Sequence, residues 1–139
     1  MAVCLAVLAG CVGYGKNRLR LVIAADAVVA ALDGHVANCA VFESGAADSV
    51  AWGGDALKAG ASATIPMHTS VGASWPDLGW QGDPALTYEL EVWIDMDDDT
   101  MGPESGVDYV TQPSRLDLVL DNAKCGTVFV VDGPFVVAP

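Results

Sequence analysis

The sequence predicts an all-β fold, a single antiparallel β-sandwich of about six to eight strands. Three observations carry that reading. Leu86 to Met96 alternates strictly, with Leu86, Tyr88, Leu90, Val92, Ile94 and Met96 on one face and Thr87, Glu89, Glu91, Trp93 and Asp95 on the other. That is the pattern of a strand with one wet side. Asp-Gly pairs at 33–34 and 132–133 supply turns of the hairpin type. No stretch shows the sustained apolar spacing of a long helix.

The elements follow in order. In Arg18-Leu19-Arg20-Leu21-Val22-Ile23, the residues Leu19, Leu21 and Ile23 share a face and define a first strand. Ala25 to Leu32 suits helix or strand by composition; Asp33-Gly34 favours a hairpin arm that returns through His35 to Glu43. Residues 44–60, rich in Gly, Ala, Ser and Asp around Trp52 and Leu57, read as loop or a short helical turn. Beyond Met96, Ser114 to Asp121 alternates again, with Leu116, Leu118 and Leu120 inward and Arg115, Asp117 and Asp121 outward. Thr127 to Val131 reads as a buried strand, and Phe135 to Val137 as a last strand after Asp132-Gly133. No solenoid-type repeat is evident.

Composition bounds the function. The 139 residues hold 18 Asp plus Glu against 6 Lys plus Arg, a net charge of −12, with a pI near 4.1. A nucleic-acid partner is excluded, because a polyanion needs a basic footprint, and anionic membrane surfaces are disfavoured for the same reason. With 53% hydrophobic residues and a mean hydropathy of +0.40, the chain is able to bury a core. All 18 acids lie beyond Arg20, where only Lys58, Arg115 and Lys124 are basic.

The chain divides into an apolar leader over 1–10, a spacer over 11–17 and a β-sandwich domain over 18–139. Met1 to Gly10 carries no charge; it is too short to span a bilayer as a helix and has the length of a signal-peptide core. The alternative is a buried amino-terminal strand. Leu8-Ala9-Gly10-Cys11 resembles the lipobox of prokaryotic lipoproteins. The resemblance implies cleavage before Cys11, lipid on its sulfur, export to the cell envelope or the extracellular side, and membrane contact only through that anchor. With Cys4 and Cys11 in the leader, Cys39 and Cys125 remain as an even pair. In an oxidising compartment they are expected to form a disulfide, worth about 4 to 5 kcal/mol for so long a loop; the alternative is two buried thiols. Zinc is not indicated, since there is no C-x-x-C and only two histidines.

The densest chemistry lies in Asp95-Met96-Asp97-Asp98-Asp99-Thr100-Met101-Gly102-Pro103-Glu104, with Asp108 beyond. Carboxylates crowded into a turn repel one another unless a cation compensates. Calcium suits them, because it takes six to eight oxygens in flexible geometry. Asp95, Asp97 and Asp99 resemble the D-x-D-x-D opening of calcium loops such as the EF-hand, although Thr100 and Gly106 stand where that loop has Gly and Glu. The expected ligands are Asp95, Asp97 and Asp99, closed by Glu104 or Asp108; the alternative is a solvated acidic hairpin tip. The strand Tyr88-Glu89-Leu90-Glu91-Val92-Trp93-Ile94-Asp95 running into this loop is similar to those of bacterial transthyretin-like (prealbumin-like) β-sandwich modules. That resemblance implies an extracellular adhesion or binding role and no activity.

A second candidate is Pro66 to Ala85, long and without evident secondary structure. Its Trp75 and Trp80, with outward Trp93, are expected either to form an aromatic platform for a sugar or a protein surface, or to close one end of the core. Enzyme signals are thin. There is no G-x-S-x-G elbow and no phosphate-binding loop, and His35 and His68 are the only histidines. The expectation is therefore a non-catalytic exported surface module, lipid-anchored, with a binding or structural role and calcium as the candidate cofactor. The alternative is a subunit of an extracellular filament that self-assembles by amino-terminal strand addition.

Overall fold

The computed structural model describes residues 19–69, 80–99, 102–120 and 126–139. It is an all-β sandwich of two sheets. The strands are β1 (Leu19–Ile23), β2 (Val36–Glu43), β3 (Ser49–Ala56), β4 (Ala63–Ile65), β5 (His68–Thr69), β6 (Tyr88–Asp95), β7 (Tyr109–Leu118), β8 (Thr127–Val131) and β9 (Val136–Val137). The larger sheet has the order β5-β3-β2-β6-β7-β9 and the smaller one β4-β1-β8. No described helix is long and apolar enough to cross a membrane.

Period-two alternation builds the core. Leu19, Leu21 and Ile23 of β1, Ile65 of β4 and Val131 of β8 are buried from one sheet, and Ala37, Cys39 and Val41 of β2, Ala51 of β3, Leu90, Val92 and Ile94 of β6 and Leu118 of β7 from the other. These residues form one hydrophobic cluster. Register aligns them in rows, with Ala37 opposite Ile94, Cys39 opposite Val92 and Val41 opposite Leu90.

Four expectations need correction. Ala25 to Leu32 is no hairpin arm: it forms two short 3-10 turns, Ala25–Ala27 and Ala30–Leu32. Gly34 takes the left-handed turn after them (φ 80), but β2 pairs with β3 and β6 rather than with that segment. Residues 49–56, expected as loop, are the full strand β3. The sandwich is not wholly antiparallel, since β1 and β8 run parallel along Leu19↔Thr127 to Ile23↔Val131. Finally, Leu86 is exposed in a turn closed by its N–H donating to the Asp83 carbonyl, and the strand begins at Tyr88.

The strand expected over 114–121 begins earlier, at Tyr109. Four residues, Thr111 to Ser114, bulge from β7 between Val110, opposite Trp93, and Arg115, opposite Glu91. Pro113 in that bulge has no N–H to lose from the ladder, and the Thr111 hydroxyl donates to its carbonyl at 2.9 Å. On the outer face of this sheet the Arg115 guanidinium bonds Glu89 at 3.1 Å and Glu91 at 3.3 Å and lies 4.1 Å from the centre of the Phe42 ring.

Candidate metal centre

Strand β6 delivers the acidic loop. Its alternation would turn Asp95 to solvent with Trp93, yet Asp95 is only 2% exposed. The reason is the return of the chain at the strand's end. Asp108, itself fully buried, accepts the Met96 N–H through Oδ1 and the Glu104 N–H through Oδ2, each at 2.9 Å. Its own N–H donates to the Glu104 carbonyl at 3.0 Å, and its carbonyl accepts from Ala138 at 2.8 Å. Asp98 turns the loop with φ 58, a left-handed conformation that aspartate tolerates better than most side chains.

The result brings together one carboxylate oxygen from each of Asp95, Asp97 and Asp99, all within 4.8 Å of one another. Asp97 and Asp99 are exposed while Asp95 forms the buried floor. Partial loss of hydration raises Asp97 above the ordinary aspartate value, followed by the charge of Asp99, a hydrogen bond with the Asp95 side chain, and the charges of Asp108 and Asp95. Three carboxylate oxygens from alternate residues of one turn are a partial donor set for a hard cation.

Glu104 and Asp108 do not join this group. Each oxygen of Asp108 accepts a backbone N–H, so that residue staples the loop from outside the group of three converging oxygens. Sequence reasoning placed Asp108 near the site but missed this role, which depends on the distant backbone it meets.

The aromatic expectation divides. Trp75 lies outside the described residues. Trp80 is no platform: it is 5% exposed and packs edge-on against Tyr88, with ring centres 5.2 Å apart. The Tyr88 hydroxyl in turn accepts the Asp83 N–H at 2.9 Å. Trp93 is half-buried on the outward face of β6. Among the described residues the exposed indole is Trp52, 55% exposed, tilted against His68 at 5.5 Å between ring centres; His68 falls in the Pro66 to Ala85 candidate segment, while Trp52 was not expected in a site.

The disulfide expectation also needs correction. Cys39 is a free, buried thiol, lying 3.4 Å from the Gly53 carbonyl oxygen, to which it donates, and 3.2 Å from the Met67 sulfur. Apolar surroundings favour the neutral form, and burial pushes the thiol up to about 12. Cys125, the expected partner, lies outside the described residues, as do Cys4, Cys11 and the whole lipobox. No protein-family model, curated protein or solved structure matches the chain.

Proposed function

We propose that this chain is a non-catalytic exported surface module, lipid-anchored through Cys11, whose binding or structural role rests on a calcium-stabilised acidic loop. The observation that carries the reading is the convergence of Asp95, Asp97 and Asp99 within 4.8 Å at the end of β6. Three clustered carboxylates destabilise a loop by mutual repulsion, and a divalent cation reverses that sign. Calcium is favoured over magnesium because it accepts irregular oxygen geometry and completes its shell with water and backbone carbonyls. The acidity of the body supports the same reading, since it concentrates cations at the surface.

Calorimetric titration of the full chain with calcium chloride tests it. A saturable heat with one ion per chain, removed by Asp97→Asn and by Asp99→Asn, is the expected result. A featureless titration with the wild-type chain refutes the ion site.

A further inference from the structure

The charge of this molecule is distributed unevenly between its sheets. Strands of the larger sheet carry Glu43, Asp55, Glu89, Glu91, Asp95 and Asp117, whereas β1, β4 and β8 hold no acidic residue and include exposed Arg20. On a chain of net charge −12, two copies meet with least repulsion at the smaller sheet.

Among the described residues, that sheet also has an edge no strand covers. Strand β8 pairs with β1 on one side and with no described strand on the other. Natural edges are blunted by shortness, proline or inserted charge. The other three comply: β4 has three residues and runs into Pro66, β5 has two, and β9 has two between Pro134 and Pro139. Thr127-Val128-Phe129-Val130-Val131 uses none of these devices. Val128 and Val130, on the face turned from the core, are 58% and 48% exposed.

The strand is also complementary to itself. Valine stands on each side of Phe129, so a two-fold axis at that residue sets Phe129 opposite its own copy and Val128 opposite the second copy's Val130, a cross-strand pairing that favours β-branched side chains. We propose that β8 pairs antiparallel with β8 of a second copy, giving a closed two-fold dimer with one continuous six-stranded sheet, β4-β1-β8-β8-β1-β4. Such an interface uses the same patch twice and stops at two subunits. It does not depend on the calcium reading.

Sedimentation velocity of the full chain in chelator tests the proposal. A dimer is expected, and Val128→Lys combined with Val130→Lys, which sets lysine against lysine in both halves of the interface, weakens it at least tenfold while circular dichroism stays unchanged. A monomeric wild type, a dimer that survives the double substitution, or a polymer beyond two subunits overturns it. Oxidised Phe129→Cys gives an independent reading, because directly opposed residues of an antiparallel pair, about 4.5 to 5.5 Å apart at Cα, lie within disulfide reach. A peptide link between the two introduced thiols supports the dimer; a link from that thiol to Cys4 or Cys11 assigns the edge to the amino-terminal segment and overturns it.

Discussion

The Asp108 carboxylate accepts the Met96 backbone N–H at 2.9 Å, joining the residue that leaves β6 to the one that leads into β7. Its second oxygen holds Glu104 N–H at the same distance, so a single fully buried side chain closes the loop that bears the three converging aspartates. The three converging aspartates and their support are thus different residues of one acidic stretch, and substitutions at them are expected to act in opposite directions.

Asp108→Asn is expected to destabilise the fold by about 1 to 3 kcal/mol, because the amide turns an N–H toward one of the two part-buried backbone donors and that hydrogen bond is lost. Chemical denaturation in chelator checks this, with the midpoint falling and the m-value unchanged.

Asp97→Asn is expected to do the reverse in chelator. Asp97 is held above its ordinary value, and an acid raised on folding contributes stability that is full below the unfolded value, about 3.9, and is lost as pH rises through the folded one. At neutral pH the ionised group is a burden that the amide removes. The variant should melt higher than wild type at pH 7, and the difference should vanish toward pH 3.

Cys39 is expected to be inert. With its thiol pushed up to about 12 from an ordinary 9.0, almost no thiolate exists at neutral pH and the group is enclosed. Mass spectrometry after alkylation should find Cys39 unmodified in the native chain and modified in denaturant. The same shift predicts full stability from this group below pH 9 and progressive loss as pH rises through the folded value, a slope that Cys39→Val should flatten.

Gly53→Ala is expected to cost about 1 to 3 kcal/mol as an overpacking substitution. A Cβ on Gly53 would run into the Pro66 carbonyl oxygen and crowd Ile65, and backbone yields less readily than a side chain. Thermal melts of the variant check it; an unchanged midpoint would mean that the approach of Pro66 to β3 relaxes freely.

Legibility followed the physics of each element. Strand β6 was evident because one face is buried along its whole length while Glu89, Glu91 and Trp93 on the other are only partly buried. Strand β3 was not, since Ser49, Gly53 and Gly54 lack strand-forming side chains and the strand is held by β2 and β5 beside it; Gly53 is there because Pro66 needs the room. Apolar Ala25 to Leu32 looked like a strand, and only the tertiary chain path selects two 3-10 turns. The parallel pairing of β1 with β8 joins segments about a hundred residues apart and leaves no local trace. In the site, the D-x-D-x-D spacing located the three aspartates that converge, while the part Asp108 plays in stapling the loop was not legible, because its carboxylate meets the Met96 and Glu104 N–H groups only after folding. Of the two alternatives for Trp80 the core-closing one holds, and Trp52, read only as part of a loop, is the indole that faces water: composition marks an indole as a candidate, and packing decides its exposure.

Calcium binding at the acidic loop is tested by the thermal midpoint of the full chain in millimolar calcium and in excess chelator at matched ionic strength. Calcium at about a hundred times its dissociation constant contributes roughly 2.7 kcal/mol, several degrees for a domain of this size. That rise is expected for the wild type and its loss in Asp97→Asn. Equal midpoints for the wild type with and without calcium would contradict calcium binding at this loop.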